Sequence, residues 1–462
     1  MAELRLDQVA RKIRGEILQG APSLLFHKFN IDSRLTEPGE LFFALIARRN
    51  GHDFIRQAAD KGARGAVISQ TVSLPDRNFA LIRVNDTLEA LQALAGKVLS
   101  EHSIKVVGIT GSIGKTTVKE FTAALLARDT AVLKSEGNFN NHLGLALSLL
   151  RLEKFHQVAV LEMGTSAPGE IRALTRIAPP DVPVLTNIHP VHLEFFNTLE
   201  NIALAKKEIL EGTKPGGTAV LNGDDPLVQK VSRNWNGKKI YFGFSPRMDI
   251  QARNIKAMGY DGITFDLKYG KKKERLLVPV LYESYLYNLL AALGVAYALA
   301  FPMDRVVGQV HSLKHLSGRG IVHHMENSIA VIDDTYNSNP VALESALKGL
   351  AALPAKRKVA VLGDMLELGE NEKSFHTQAG KQVVDWGWNL LVTVGPLSRH
   401  MAEGARAAGM SPTQIYSFPD SDEASAHIMD LVREGDLLLV KGSRGIKTEK
   451  IIQTLMEKLK ER

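Results

Sequence analysis

Val106-Val107-Gly108-Ile109-Thr110-Gly111-Ser112-Ile113-Gly114-Lys115-Thr116-Thr117 reads as a buried strand that breaks into a glycine loop and then opens a helix. That order is the geometry of a phosphate cradle. Backbone N–H groups of the loop, the positive end of the helix dipole and one lysine converge on a triphosphate, and a hydroxyl beside the lysine reaches its magnesium. Lys115 and Thr116 take those roles, with Gly111, Ser112, Gly114 and Thr117 completing the cradle. The strict P-loop pattern wants a glycine where this chain has Ile109, and Gly108 stands one place too early, which argues against an ordinary kinase or GTPase. Ile104 to Val107 supplies the β-rich run in front, and Val118, Phe121 and Leu125 share one face of the helix behind. A glycine turn with a surface lysine is the plainer alternative, and it leaves this strand-loop-helix context unexplained.

Outward from the cradle, composition bounds the rest. A chain of 462 residues is too long for one hydrophobic core, and about 150 residues per domain suggests three domains. With 45% hydrophobic and 23% charged residues it is an ordinary globular composition. No cysteine is present, so disulfide and thiolate chemistry are excluded and any site works with oxygen and nitrogen ligands, of which oxygen suits Mg²⁺. Met1 to Arg5 carries no apolar core of a signal peptide, and nowhere do eighteen apolar residues run together, so the expectation is a cytoplasmic protein without membrane insertion. The net charge of +7 is spread along the chain without an RNA-binding or zinc-finger motif, which fits polyanionic small substrates rather than nucleic acid. Its densest cluster, Lys271-Lys272-Lys273-Glu274-Arg275, lies between two β-rich runs and reads as a solvated hairpin turn.

The expected fold class is α/β in three domains. Residues 1–102 form a small N-terminal α/β unit, with β-rich runs at Gly65 to Ile68 and Ala80 to Val84. Residues 103–315 alternate strand and helix as in a central P-loop-type parallel-sheet ATPase domain, with a β-rich segment near 239–280. Residues 316–462 begin a fresh alternation, with strands at Ile329 to Ile332, Val359 to Leu362, Leu390 to Val394 and Leu437 to Val440, as in a C-terminal Rossmann-like domain.

Further candidates lie downstream of the cradle. Val158 to Leu161 is continuously apolar, as in a strand buried on both faces, and Glu162 follows it at the sheet edge where α/β proteins bind ligands. Glu162 is there either a magnesium ligand or a strand-end acid paired with a base. The next apolar run, Val182 to Ile188, ends in His189-Pro190-Val191-His192-Leu193-Glu194, which suits a metal or a held water. A helix is expected to start at Asn197, a good N-cap with Glu200 three places on. On its wheel Lys206 falls within the stripe of Leu199, Ile202, Ile209 and Leu210, while Lys207 points away. An inward lysine is either a readily deprotonated amine, able to act as a nucleophile or take up CO₂ as a carbamate, or a snorkelling side chain. In the last domain Asp333-Asp334-Thr335-Tyr336-Asn337-Ser338-Asn339-Pro340 suits a ribose or base contact, some of it being turn chemistry. Lys441-Gly442-Ser443-Arg444-Gly445 looks like a carboxylate or phosphate site.

Assembled, these stretches resemble the Mur ligases across all three domains. The resemblance is carried by Asp32-Ser33-Arg34 with Gly39 to Leu45, the cradle at 108–117, Gly137-Asn138-Phe139-Asn140-Asn141, and Glu162-Met163-Gly164 with Pro168 to Ile171. It continues through His192-Leu193-Glu194, Ala205-Lys206, Asp333 to Pro340, Gly363 to Gly369, and Lys441 to Arg444. The resemblance implies an ATP-dependent amide ligase of peptidoglycan precursor synthesis. Its terminal substrate carboxylate attacks the γ-phosphate to give an acyl phosphate, and an amine then displaces phosphate through a tetrahedral intermediate. Within the family, the pattern is most similar to the branch whose substrates are UDP-MurNAc-tripeptide and D-alanyl-D-alanine, acting as a cytoplasmic monomer.

Carried over by position, the same resemblance implies that Lys115 holds the β- and γ-phosphates, that Thr116 and Glu162 hold one Mg²⁺, and that His192 with carbamylated Lys206 holds a second. It implies that Asn138 or Asn141 lies near the γ-phosphate, that Asp334 binds ribose, that Asn337 or Asn339 lies by the adenine, that Asn288 belongs to the nucleotide site, and that Arg319 reaches the phosphates. Ser33 and Arg34 are implied to seat the uridine nucleotide in the first domain, and Lys441, Ser443 and Arg444 to face the incoming dipeptide or the substrate peptide. The chain departs from the family pattern at Tyr282-Glu283-Ser284 (usually Gly-x-His), at His189 (usually glycine), at Asn197-Thr198 (usually Gly-Ser) and in the loop Leu45 to His52. Two rivals stand beside this reading. One is another amide ligase of the superfamily, either third-residue-adding or of the folylpolyglutamate type; the other is a nucleotide-switched binding module, for which Glu162, His192 and an inward Lys206 would be superfluous.

Overall fold

The computed structural model describes residues 3–72, 78–191, 193–314 and 316–461. Among the described residues, 22 strands form four sheets. Near the N-terminus β1 (Leu4–Arg5) pairs antiparallel with β3 (Leu25–Phe26). Beside them β2 (Glu16–Gln19), β4 (Phe29–Asn30), β5 (Leu41–Phe43), β6 (Gly65–Ile68) and β7 (Ala80–Arg83) form a five-stranded sheet in the order β2-β7-β6-β5-β4, parallel except for β2.

The central sheet contains β8 (Lys105–Thr110), β9 (Val132–Lys134), β10 (Val158–Glu162), β11 (Val182–Leu185), β12 (Thr218–Asn222), β13 (Lys238–Gly243), β14 (Ile250–Ala257), β15 (Ile263–Tyr269) and β16 (Lys272–Val278). They run β9-β10-β8-β11-β12-β13-β14 in parallel, and β15 and β16 close one edge antiparallel. Side chains of a strand alternate between faces, so Val107, Ile109, Val158, Val160, Val182 and Val184 enter one apolar cluster. Val106, Ala159, Leu161, Leu185 and Leu221 enter another on the opposite face. Such two-sided burial is why these strands read as unbroken apolar runs. The first cluster continues through Leu286 and Leu289 of the helix Glu283–Ala298 into Leu343 and Leu347 of the helix Pro340–Ala351, joining the central and C-terminal parts.

The third sheet comprises β17 (Ile321–His324), β18 (Ala330–Asp334), β19 (Arg357–Gly363), β20 (Leu390–Val394), β21 (Ile415–Phe418) and β22 (Asp436–Lys441). Its order is β17-β18-β22-β19-β20-β21, parallel apart from β17. The architecture is thus α/β throughout, a small N-terminal domain, a central parallel-sheet domain with the phosphate loop, and a Rossmann-like C-terminal domain.

Three local expectations shift. The helix expected from Asn197 begins at Leu199, because Asn197 takes a left-handed φ of 62°, outside any helix, and Thr198 caps instead by accepting the Asn201 N–H at 3.2 Å. Asp333 and Asp334 belong to β18 rather than following it, since β18 pairs with β22 as far as Asp334 opposite Lys441. The basic cluster turns only at Gly270 and Lys271, and its remaining cations lie along β16. Among the described residues no helix is long and apolar enough to cross a membrane.

Candidate active site

The phosphate loop follows β8 at the middle of the sheet, where β10 and β11 flank β8 on opposite sides. This is the switch point at which parallel α/β sheets bind ligands. Gly111 and Gly114 have left-handed φ values of 147° and 87°, and a Cβ on either would collide, with Thr186 Oγ1 at 1.9 Å and Asn288 Oδ1 at 2.1 Å respectively. Gly108 serves differently: it lies within β8, where Met163 and Pro180 close in to 3.2 Å of any added Cβ. The glycine that departs from the strict motif is therefore a packing residue. The segment after β11 braces the loop. Ser112 Oγ donates to the His189 carbonyl at 2.9 Å, the Ile113 N–H donates to Asn187 Oδ1 at 2.8 Å, and Thr186 Oγ1 donates to the Ile113 carbonyl at 2.7 Å.

Lys115 opens the helix Lys115–Leu126 and folds back over the loop, its Nζ donating to the Gly111 carbonyl at 2.9 Å and the Ser112 carbonyl at 3.2 Å. Burial pushes the Lys115 amine down, the Glu162 carboxylate pushes it back up, and the Arg319 charge adds to the fall. Glu162 ends β10 and is buried. Asn140 Nδ2 donates to its Oε1 at 2.9 Å, while Oε2 is buried with no hydrogen-bond partner. A buried, unpartnered carboxylate oxygen beside a phosphate loop suits a divalent cation. Among the described residues no three histidine or acidic side chains cluster as a self-sufficient metal site. Mg²⁺ takes one or two protein oxygens and completes its shell with phosphate and water.

Lys206 is 2% exposed on the inner face of the helix Leu199–Glu211, whereas Lys207 turns outward to Glu211 at 3.1 Å. The Lys206 amine lies well below the ordinary lysine range, first because it is buried and then because the Lys115 charge is near. Lys115 feels the Glu162 charge and Lys206 feels that of Lys115, so these three of the four expected catalytic residues are linked electrostatically. The fourth, His192, lies outside the described residues.

Above the loop is a cavity of about 450 Å³ lined from both the central and C-terminal domains. From the central domain come Ser112, Gly114, Lys115, Thr116, Thr117, Asn138, Glu162 and Asn288. The C-terminal domain contributes Arg319, Asp334, Asn337, Asn339, Lys441 and Arg444. Tyr336 lies between Arg319 and Arg444, whose guanidinium carbons are 4.1 and 5.3 Å from its ring centre. A second cavity of about 490 Å³ adjoins the first through Ile113, Ser284, Asn288 and Ala342.

Other candidates have partners within the protein. Asn141 caps the helix His142–Leu149 by accepting from the Leu143 and Gly144 N–H groups, so Asn140 is the neighbour that reaches Glu162. Asn339 lines the cavity and also caps the helix Pro340–Ala351. Asp334 accepts from Lys441 Nζ at 2.6 Å, Tyr282 Oη at 2.9 Å and Tyr285 Oη at 3.4 Å. Lys441 is committed to that carboxylate and to the Asn337 carbonyl at 3.0 Å. Buried Ser443 accepts the Leu366 N–H at 3.0 Å and does not line the cavity. Ser33 donates to Gln57 and Arg34 pairs with Asp32, both in the N-terminal part and away from the cavity lining. Sequence reasoning assigned Asn140, Tyr282 and Tyr336 no role of their own, naming them only within longer stretches, and did not single out Tyr285. The spacing of Tyr282 and Tyr285 at the start of a helix was the available signal, since residues three apart share a helix face.

Residues 109–296 match the Mur ligase middle domain, and residues 318–444 match the Mur ligase glutamate ligase domain. The UDP-N-acetylmuramoyl-tripeptide--D-alanyl-D-alanine ligase of Bacillus subtilis (strain 168) is 33% identical over 461 residues, covering 99% of each chain. Its Escherichia coli (strain K12) counterpart is 32% identical over 466 residues, again with 99% of each chain covered. A crystal structure of MurF from Acinetobacter baumannii superposes with a TM-score of 0.91 at 28% identity over 99% of both chains. MurF from Thermotoga maritima in complex with ADP does so at 0.83 and 30% identity, covering 93% of this chain and 97% of that one. Full-length identity of this order, on the same three-domain frame, means that the chain belongs to the Mur ligase family.

Proposed function

We propose that the chain is an ATP-dependent amide ligase that joins D-alanyl-D-alanine to UDP-MurNAc-tripeptide. The observation that carries this reading is the pairing of Lys115 and Glu162 at the carboxyl edge of the central sheet, in a cavity lined from both the central and C-terminal domains, with the buried Lys206 within reach of the Lys115 charge. In the first step an oxygen of the tripeptide carboxylate attacks the γ-phosphorus, the bond from that phosphorus to the ADP oxygen breaks, and an acyl phosphate forms. In the second, the dipeptide amine attacks the acyl carbon, inorganic phosphate leaves, and the nitrogen gives up its proton to complete the amide.

Lys115, now turned back on the loop carbonyls, swings to the β- and γ-phosphates when ATP enters, and Arg319 approaches them from the C-terminal side. Thr116 and Glu162 would supply oxygens for one Mg²⁺, whose charge would offset the repulsion between carboxylate and phosphate. His192 and Lys206 would hold a second. For that role Lys206 reacts as the neutral amine with CO₂, forming an N–C bond and releasing a proton, so that a buried cation becomes an anion. Its burial and its low affinity for a proton support this assignment. A carboxylate offers about four lone-pair sites, so Asp334, accepting three donors here, keeps room for a ribose hydroxyl. Of the residues lining the cavity, Asn138 is assigned to the γ-phosphate, Asn337 or Asn339 to the adenine, and Asn288, whose Oδ1 stands against Gly114, to the nucleotide site at large. Arg444 faces the peptide substrates, and Ser33 with Arg34 receives the uridine nucleotide in the N-terminal domain. The protein acts in this reading as a cytoplasmic monomer.

Phosphate release by the purified protein tests the reading. Release is expected only when ATP, UDP-MurNAc-tripeptide and D-alanyl-D-alanine are all present. Release with a folate and glutamate, with diaminopimelate or lysine and the dipeptide-stage precursor, or with no acceptor would overturn it.

A further inference from the structure

A lysine with no place in the chemistry above is sealed beside it. Lys119 lies one turn beyond Lys115 on the helix Lys115–Leu126, and its side chain is 0% exposed. Its Nζ donates to the Gly137 carbonyl at 3.0 Å and pairs with Glu120 Oε1 at 3.1 Å; Glu120 in turn pairs with Lys134 of β9. Fully buried lysines are rare, and well-packed apolar residues usually replace buried ion pairs at no loss of stability. Stability alone therefore does not explain this one.

Its acceptor does. Gly137, at a left-handed φ of 47°, begins the loop that carries Asn138 and Asn140. Phe139 of that loop sits so close to Gly144 that a Cβ there would be 2.5 Å from the Phe139 Cα, and the Gly164 N–H donates to the Asn140 carbonyl at 2.8 Å. Held at these three points, the loop delivers Asn140 Nδ2 to Glu162 Oε1 and leaves Oε2 as the unengaged oxygen. We propose that Lys119 is a positioning residue. It fastens the Asn138–Asn140 loop to the helix that bears Lys115 and Thr116, so that Asn140 fixes which oxygen of Glu162 faces a divalent cation bound with the nucleotide. This rests on Glu162 being a magnesium ligand. Partners that orient a metal ligand in this way typically change metal affinity by about 10- to 100-fold when removed.

The test is calorimetric binding of a non-hydrolysable ATP analogue to the full chain, with Mg²⁺ and with EDTA, alongside a thermal melt. Lys119→Met is expected to keep a cooperative melt, to lose about tenfold in analogue affinity with Mg²⁺, and to stay within about twofold of wild type in EDTA. Asn140→Ala should give the same pattern, and the double variant should lose no more than either single, because the two act in series. Lys119→Arg, which restores a donor, should recover most of the loss. Equal losses with and without Mg²⁺, or multiplying losses in the double variant, would each overturn the proposal and leave Lys119 a purely structural lysine. If Lys119→Met does not fold, Lys119→Arg and Asn140→Ala still decide: an arginine variant that melts cooperatively and binds as wild type supports the proposal, and unchanged Mg²⁺ dependence in Asn140→Ala overturns it. Glu162→Gln separates the two levels, since unaltered Mg²⁺-dependent binding in that variant would sink the ligand role of Glu162 itself.

Discussion

The Tyr282 hydroxyl of the central domain donates to Asp334 Oδ2 of the C-terminal domain at 2.9 Å, at the point where the two domains meet above the cavity. Tyr282 is 4% exposed and fits because two residues opposite it are glycines: a Cβ on Gly349 would be 2.4 Å from the Tyr282 Cβ, and one on Gly320 would be 3.2 Å from its hydroxyl. Burial, then the Asp334 charge, raises the phenol well above the ordinary tyrosine range, so it stays a proton donor at all working pH values. The tyrosine that departs from the family pattern is thus a knob between domains.

Tyr282→Phe keeps the knob and removes the donor. Hydrogen bonds to charged groups contribute about 1.5–3 kcal/mol, so a loss of that size is expected in urea unfolding. Tyr282→Ala should lose more, since it also opens a cavity. An unchanged denaturation midpoint in Tyr282→Phe would mean that the Asp334 contact contributes nothing.

Lys441 lines the cavity while its Nζ donates to Asp334 and to the Asn337 carbonyl. Removing one partner of a buried pair typically costs about 3–5 kcal/mol because the other charge is left uncompensated. Lys441→Met should therefore destabilise by that order, and Asp334→Asn combined with it should recover part of the loss. A stable Lys441→Met protein with a selectively raised KM for D-alanyl-D-alanine would return the lysine to a substrate-binding role.

Lys206 links stability to pH. Its folded-state proton affinity is lowered by burial and then by Lys115, so between the folded and unfolded values the unfolded chain binds more protons. Stability then rises with pH across that interval, and the cost of burying the cation is full only below the folded value. Lys206→Met should remove this cost and melt higher near pH ~7, by about 2–4 °C for each kcal/mol gained, with the advantage shrinking towards pH ~10. Turnover should vanish in the same protein. Short-chain carboxylates should partly restore it in Lys206→Ala, where they have room to replace the carbamate. Full activity in either variant would remove the carbamate from the mechanism.

Gly114→Ala tests the cradle. A left-handed position costs a residue with a Cβ about 1–2 kcal/mol, and here the Cβ also meets Asn288 Oδ1 at 2.1 Å. Loss of about tenfold or more in nucleotide affinity is expected, because 1.4 kcal/mol corresponds to tenfold. Binding within twofold of wild type by calorimetry would show that the loop tolerates a shifted Asn288.

Much of this molecule is written locally. Glycine spacing, the lysine and two threonines, strand runs buried on both faces and the stripe on which Lys206 lies follow from backbone sterics and side-chain periodicity, which act over a few neighbouring residues. Those rules reach Lys115, Glu162 and the inward turn of Lys206. They stop at contacts between segments far apart in the chain. Asn140 and Glu162 are 22 residues apart, Tyr282 and Asp334 are 52, and Lys441 and Asp334 are 107. No local pattern says which asparagine of Gly137 to Asn141 caps a helix and which meets a carboxylate, or that Lys441 meets Asp334. Packing of sheets and domains settles such pairings, because a buried polar group must find its partner wherever the fold brings one within reach.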